Sequence, residues 1–136
     1  MPAAPVLDSH ALLAFLRGEA GEAQVAALLE NASARDEPLL MTEVNYAEVK
    51  YSVIRKDGLG RWTEIARELP ALPIEFHPAD RALSDTAADY KSRFKLSLAD
   101  AFAAALARHT KAELVTGDPE FKPLAKELKI HWLPPA

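Results

Sequence analysis

Apolar residues in this chain fall into short runs that alternate with longer amphipathic stretches. Runs of three or four mainly apolar residues, bounded by turn formers, are typical of strands buried in a parallel sheet. We predict five strands from these runs, at residues 5–8, 39–41, 73–76, 113–116 and 130–132. Strands that alternate with helices in this way favour an α/β domain whose parallel sheet is covered by helices on both faces.

The stretches between these runs carry the spacing and the end signals of helices. We predict helices at about residues 10–17, 23–31, 43–56, 61–68, 79–94, 97–109 and 119–128. The helix at residues 97–109 is almost wholly apolar, as expected for a helix that is buried on most sides. The sequence shows no repeat, low-complexity tract or linker, so we expect a single domain over residues 1–136.

Composition narrows the class of protein. Hydrophobic residues make up 49% of the chain and charged residues 26%, which is typical of a soluble globule. The formal charge of −4 gives no basic footprint of the kind that DNA-coating proteins have, although carboxylates that hold a metal would also make it negative. The chain has no cysteine, which excludes disulfides, thiolate zinc sites and cysteine nucleophiles.

Other familiar sites and segments are missing from the sequence. The histidines show no His-x-x-x-His spacing, and neither common glycine-rich phosphate-binding motif is present. The longest uninterrupted apolar run, residues 101–107, is far shorter than a membrane span requires. No basic residue precedes the short apolar run at the N-terminus, so we expect no signal peptide and a cytoplasmic location.

Four acidic residues stand among apolar neighbours: Asp8, Glu48, Asp100 and Asp118. Asp100 is the only charged residue from Leu96 through Ala107. A buried carboxylate is costly unless it is paired, hydrogen-bonded or bound to a metal. No Lys or Arg has comparably apolar surroundings, so the pattern indicates a bound cation as the missing partner. Asp8 and Asp118 also follow predicted strands, and ligands of parallel sheets collect at the carboxyl ends of strands.

Three of these acids have a simpler structural explanation, which is helix capping. Asp8 can cap the first helix, and Asp118 precedes Pro119, an arrangement common at helix starts. Asp100 stands three residues after Ser97 and fits the capping box. Capping and metal binding are compatible, because the helix dipole favours a carboxylate at this position. Both interpretations therefore stay open for each of the three acids taken alone.

Glu48 lies inside a predicted helix, where capping cannot explain it. At about 100° per residue it borders one apolar stripe of that helix, which comprises Val44, Ala47, Tyr51 and Ile54. Glu43 lies about 140° around the helix from Glu48, so we expect it to be a surface charge that complements the helix dipole. Arg55 is on the side of Glu48 but two turns away. We take Glu48 as the functional acid of this helix.

Basic residues are dense at one place, since Lys91, Arg93 and Lys95 fall within five positions. They precede the helix of Asp100. One explanation is a solvated helix end where cations complement the dipole. The other is a segment that binds phosphate groups beside the acidic site. Arg55 has the same two explanations, and the sequence leaves both open.

The segments that hold the four acids resemble, in order and spacing, the PIN-domain ribonucleases. They are Val6-Leu7-Asp8-Ser9, Tyr46-Ala47-Glu48-Val49, Ser97-Leu98-Ala99-Asp100-Ala101 and Leu114-Val115-Thr116-Gly117-Asp118-Pro119-Glu120-Phe121. The compact length is similar to that of VapC-type toxins of toxin–antitoxin pairs. The resemblance covers nearly the whole chain. It implies an α/β three-layer sandwich with a central parallel sheet in strand order 3-2-1-4-5.

The resemblance also implies a site and a reaction. Asp8, Glu48, Asp100 and Asp118 would converge on Mg²⁺ or Mn²⁺, with the hydroxyls of Thr116 and Ser97 in support. One or two such ions would relieve the repulsion between the acids and activate a water that attacks an RNA phosphodiester. The residues proposed to hold RNA are Lys91, Arg93, Lys95 and Arg55. Toxins of this type are typically homodimers that a cognate antitoxin neutralises by covering the active cleft.

One position departs from the family pattern, and two other functions remain as alternatives. Where the family often has Ser or Thr two places after the first Asp, this chain has His10.

A receiver-like phospho-acceptor domain has a similar acidic pocket, but usually carries adjacent acids after its first strand and a Lys after its last. The other alternative is a PIN-like binding scaffold without catalytic activity. The presence of all four acids argues against it, because stability does not require them together.

Overall fold

A computed structural model describes residues 3–135 and shows a parallel sheet between two layers of helices. The strands are β1 Val6–Leu7, β2 Leu39–Thr42, β3 Ile74–His77, β4 Leu114–Thr116 and β5 Ile130–Trp132. The α-helices are α1 Ser9–Arg17, α2 Glu22–Arg35, α3 Glu43–Asp57, α4 Leu59–Glu68, α5 Arg81–Arg93 and α6 Leu98–Thr110. Two 3-10 segments complete the secondary structure, at Leu69–Ala71 and Pro119–Lys126.

The strands lie in the order β3-β2-β1-β4-β5, and every neighbouring pair is parallel. This confirms the α/β sandwich predicted from the sequence pattern and the strand order implied by the resemblance to PIN-domain ribonucleases. The chain reverses its direction of travel across the sheet after β3, and β4 lies on the other side of β1. Receiver domains have the order 2-1-3-4-5. The receiver-like alternative is therefore wrong.

Residues that alternate along the central strands face opposite helical layers, as the pleat of a strand requires. Val6 and Leu114 pair in register and pack with α5 and α6. The next pair, Leu7 and Val115, packs with α1 and α2 on the other face. These strands are only two or three residues long and fully buried. Their apolar runs were therefore readable in the sequence as strands buried on both faces.

Helix α6 is the most deeply buried helix that the structure describes, since every residue from Ala99 to Ala107 is buried. Six of those nine residues are alanines, whose small side chains let the helix lie close to β1, β2 and β4. This packing confirms the prediction of a helix buried on most sides. Within residues 3–135 no helix is long and apolar enough to cross a membrane.

Several details differ from the sequence prediction; for example, α2 extends to Arg35 and α4 begins at Leu59. The helix predicted at residues 119–128 is a 3-10 segment over Pro119–Lys126, because Pro123 has no N–H to donate and disfavours α conformation in the residue before it. The helix predicted to open at residue 79 begins at Arg81, capped by Asp80. In α3 the buried stripe is Asn45, Val49 and Val53, and the predicted stripe members Ala47 and Tyr51 are exposed.

Asn45 is the polar member of that stripe, and it joins three helices. Its Nδ2 donates to the hydroxyl of Ser9 in α1 (3.0 Å) and to the carbonyl of Ala99 in α6 (3.2 Å). Its Oδ1 accepts from the hydroxyl of Thr42, which in turn caps α3 by accepting from the N–H of Asn45 at 2.9 Å. The side chain is fully buried and its donors and acceptor are all used.

Replacing Asn45 with Ala should lower the free energy of unfolding by about 1–3 kcal/mol, because buried groups on three elements would lose their partner. Asn31, exposed on α2, is the matched control, and Asn31→Ala should stay within about 0.5 kcal/mol of wild type. Urea unfolding followed by circular dichroism measures both. Equal effects of the two variants would show that the buried network adds nothing to stability.

Candidate functional site

Asp8 stands directly after β1 and begins α1. Its Oδ1 accepts a hydrogen bond from the N–H of Ala11 at 2.8 Å, which is the N-cap of α1. Its Oδ2 accepts a hydrogen bond from the hydroxyl of Thr116 at the end of β4. The side chain is completely buried. Capping and a place in an acidic site are thus combined in one residue, as the sequence allowed.

Burial dominates the protonation of Asp8. The pKa of Asp8 is raised from the ordinary 3.8 to about 8, chiefly by removal from water, since a carboxylate loses hydration that the interior does not replace. The hydrogen bonds from Thr116 and Ala11 favour the charged form and oppose this shift, but they do not cancel it. The charges of Asp100 and Asp118 raise the pKa further. Asp8 therefore lies near enough to both acids for their charges to act on it.

Asp100 lies in the first turn of α6 and is 7% exposed. The hydroxyl of Ser97 caps this helix by accepting from the N–H of Asp100 at 3.1 Å. The pKa of Asp100 is raised to about 7, chiefly by burial and in addition by the charges of Asp118, Glu48 and Glu120. A hydrogen bond with the Ser97 side chain lowers the pKa of Asp100 and partly opposes this rise. An oxygen of the Asp100 carboxyl group also lies within 4.8 Å of oxygens of Asp118 and Glu120.

Asp118 is placed by the loop that leaves β4. Its N–H donates to the hydroxyl of Thr116 at 3.0 Å, and its own Oδ1 accepts from the N–H of Glu120 at 2.9 Å. It caps the Pro119–Lys126 segment and is half-buried. Thr116 thereby contacts two acids at once, because its hydroxyl donates to Asp8 and accepts from Asp118.

Glu48 is half-buried on α3, and Tyr51 one turn further on donates its hydroxyl to Glu48 Oε2 at 3.3 Å. The Glu48 charge acts on Asp100 and raises the pKa of the Tyr51 hydroxyl. Glu43, at the start of the same helix, is exposed. Arg55 lies over the Tyr51 ring, 5.1 Å from its centroid, and makes no ion pair with Glu48 among the described residues.

Glu120 is an acid of this site that the sequence analysis passed over. Oxygens of Asp100, Asp118 and Glu120 all lie within 4.8 Å of one another. Glu120 is exposed and follows a proline at the start of a short helical segment, where an acid has an ordinary role in complementing the dipole. Its place two residues after Asp118 was the only sequence signal that pointed to it.

Three elements thus bring the acids to one edge of the sheet. Asp8 and Asp118 follow the central strands β1 and β4, and Asp100 stands at the start of α6. No basic side chain contributes to the raised pKa values of Asp8 and Asp100. The carboxylates repel one another and have no cationic partner in the described part of the chain. Their hard oxygen donors, without nitrogen or sulfur ligands among them, suit Mg²⁺ or Mn²⁺.

The basic segment before α6 is mostly engaged in other contacts. Arg93 forms a two-pronged ion pair with Glu127, at 2.9 and 3.0 Å, and lies over the rings of Tyr90 and Phe94. Lys91 donates to the carbonyl of Leu96 at 2.9 Å. Lys95 is exposed and makes no hydrogen bond or ion pair within residues 3–135. Lys95 is consequently the member of this segment that is most available to a substrate.

Solved structures share this architecture. VapBC2 of Rickettsia felis, bound to a DNA fragment from its promoter, has a TM-score of 0.75 at 15% identity and covers 96% of this chain and 98% of its own. DNA-bound VapBC of Salmonella typhimurium has a TM-score of 0.74 at 12% identity, with coverages of 95% and 97%. VapC20 of Mycobacterium tuberculosis, a toxin that cleaves the sarcin–ricin loop, has 0.72 at 14%, with coverages of 96% and 100%.

At these identities the structural similarity concerns the fold. A comparison of the sequence with curated proteins finds no significant match. The family model of the PIN domain, however, matches residues 6–127, which hold all the acids described above. The sheet order and the family match agree with the resemblance seen in the sequence. This chain belongs to the PIN domain family.

Proposed function

We propose that this protein is a metal-dependent endoribonuclease, the toxin of a type II toxin–antitoxin pair. The observation that supports it most is the burial of Asp8 and Asp100 at the carboxyl edge of the sheet without a cationic partner among the described residues. The pKa values of these two carboxyl groups are raised to about 8 and about 7, so their ionisation destabilises the folded protein. Carboxyl groups with strongly raised pKa values are commonly found in active sites.

The proposed ligands of Mg²⁺ or Mn²⁺ are Asp8, Glu48, Asp100 and Asp118. Glu120 joins them because its carboxylate lies within 4.8 Å of those of Asp100 and Asp118. A divalent ion bound there would supply Lewis acidity, lowering the pKa of a water molecule and neutralising charge on the scissile phosphate. We propose in-line attack of water on an RNA phosphodiester.

The other residues of the site orient these carboxylates. Thr116 fixes Asp8 and the N–H of Asp118 with one hydroxyl. Ser97 caps α6 by accepting from the N–H of Asp100, and its side chain also hydrogen-bonds the Asp100 carboxyl group. Tyr51 donates to Glu48. Near neutral pH the carboxyl groups of Asp8 and Asp100 are partly protonated, so a cation that binds there displaces protons from them.

The proposed partners are RNA, a cognate antitoxin and a second copy of this chain. Structural neighbours of this fold include VapBC toxin–antitoxin complexes, which supports an antitoxin as partner. A pocket of carboxylates would attract a basic side chain, so we expect the antitoxin to direct Arg or Lys toward Asp8 and Asp100. RNA would reach the site past Lys95, with Lys91, Arg93 and Arg55 as further candidate contacts.

One prediction concerns the dependence of stability on pH and metal. Because the pKa values of Asp8 and Asp100 lie above the ordinary 3.8, the folded chain binds more protons than the unfolded chain between pH about 4 and about 8. The metal-free protein should therefore lose stability as pH rises through that window. Mg²⁺ or Mn²⁺ at millimolar concentration should raise the melting temperature more at pH about 8 than at pH about 5.

Asp100→Asn tests the source of this effect. The variant lacks one buried charge, so without metal it should melt above wild type at pH about 8, and the difference should shrink toward pH about 5. Its melting temperature should respond less to Mn²⁺ than that of wild type. Asp85→Asn, exposed on α5, is the control and should behave as wild type. A wild-type melting curve that Mg²⁺ and Mn²⁺ both leave unmoved would contradict the metal site.

The two glutamates of α3 give a test of cleavage. Glu48→Gln should lower the rate of RNA cleavage by about a hundredfold or more, because a charged group is lost beside the reacting phosphate. Glu43→Gln should remain close to wild type, since Glu43 is exposed on another face of the helix. Cleavage of structured and unstructured RNAs with Mn²⁺ measures both. The reverse ranking would assign the role to Glu43, and no wild-type cleavage of any RNA would favour the scaffold alternative.

A test of RNA binding follows from the exposed position of Lys95. Lys95→Ala should weaken RNA binding and reduce the slope of log affinity against log salt by about 0.7, the value for one contact to single-stranded RNA. Lys129→Ala removes the same charge just before β5, at the amino ends of the parallel strands and away from the acids, and should leave the slope unchanged. Binding is measured without divalent cations. An unchanged slope for Lys95→Ala would leave that residue as a solvated helix-end charge.

A further inference from the structure

Gly117 stands between Thr116 and Asp118, and the space beside its Cα is filled by His10 of α1. A Cβ atom at residue 117 would lie 2.5 Å from His10 Nε2 and 3.0 Å from His10 Cδ2. Such contacts are too short for any residue other than glycine unless a neighbour moves. Gly117 does not have a positive φ, so the approach of His10 and not the backbone conformation requires a glycine here.

His10 is half-buried, and its ring lies beside Gly117. Its Nε2 is buried and has no hydrogen-bond partner among residues 3–135. The backbone that carries the ring is fixed on both sides, because Asp8 two residues before it accepts a hydrogen bond from the N–H of Ala11 just after it. A ring that stands on an anchored helical turn and makes no directional bond at Nε2 acts on its neighbours chiefly by its volume.

Two contacts of opposite kind therefore join α1 to the loop after β4. The hydroxyl of Thr116 attracts, since it donates to Asp8 and accepts from the N–H of Asp118. The ring of His10 limits the approach, since it already touches Gly117. An attraction and a steric limit on adjacent residues define one separation between the two segments.

We propose that His10 is a positioning residue, whose ring acts as a spacer against Gly117 and sets the separation between the carboxylates of Asp8 and Asp118. The inference rests on the proposed function, in which both acids hold one divalent cation. His10 transfers no proton and binds no metal in this role. Its volume alone matters, because a small change in ligand separation weakens a metal site that requires near-ideal geometry.

The first test enlarges the residue that the His10 ring contacts. Gly117→Ala, which forces the ring and the loop apart, should weaken Mn²⁺ affinity by about 10–100-fold and lower kcat for RNA cleavage while KM changes little. Gly60→Ala is the matched control, since a Cβ at residue 60 meets nothing within 4 Å, and it should behave as wild type. Isothermal calorimetry with MnCl₂ and steady-state cleavage provide the two measurements.

Second-site changes identify the contact. His10→Ser should also lower Mn²⁺ affinity, and combining it with Gly117→Ala should restore affinity to the level of His10→Ser alone, because the clash is gone. His10→Leu, of similar volume and without ring nitrogens, should keep most of the wild-type affinity and kcat. This variant introduces no clash, so it tests the proposal even where Gly117→Ala fails to fold.

Three outcomes would overturn the spacer. In the first, Gly117→Ala has the same Mn²⁺ affinity and kcat as Gly60→Ala. In the second, the double variant binds Mn²⁺ as weakly as Gly117→Ala. In the third, His10→Leu binds Mn²⁺ as weakly as His10→Ser. The last would show that a ring nitrogen is needed. Wild-type protein that neither binds Mn²⁺ nor cleaves RNA would overturn the proposed function and the spacer with it. Wild-type activity together with any of the three outcomes would overturn the spacer alone.

Discussion

The burial of two carboxylates at the carboxyl edge of the sheet is the constraint on which this structure depends. Asp8 is completely buried and Asp100 nearly so, and burial raises the pKa of both. Such groups remain tolerable because each has a helix N-terminus beside it, α1 for Asp8 and α6 for Asp100, where the dipole favours negative charge. Both helices therefore start at this edge of the sheet.

Polar side chains hold those helix starts in place, and none of them is charged. Asn45 connects Ser9, next to Asp8, with Ala99, next to Asp100, so one amide spans both acidic positions. Thr116 connects Asp8 with the loop of Asp118 in a similar way. A neutral network orients carboxylates without compensating their charge. The acids remain available for a cation, and the metal-free fold bears their mutual repulsion.

Positive charge is kept away from the acids by ordinary structural contacts. Arg93 is occupied by Glu127 and two aromatic rings, and Arg55 lies on Tyr51. A lysine or arginine paired directly with Asp8 or Asp100 would lower the pKa of that carboxyl and stabilise the fold, yet it would compete with a divalent ion. The separation of the basic side chains from the acids lowers the stability of the metal-free fold, as the proposed metal site would require.

The sequence by itself determined the sheet and most of the acids, because both depend on local patterns. Buried parallel strands are continuous apolar runs, and Asp8 and Asp118 follow such runs directly. The tertiary structure alone decided which residues meet across long separations: Asn45 with Ala99, Arg93 with Glu127, and His10 with Gly117. Each of these contacts joins segments at least 34 residues apart in the chain. Periodicity describes one element at a time, so it cannot show which side chain of another element fills the space beside it.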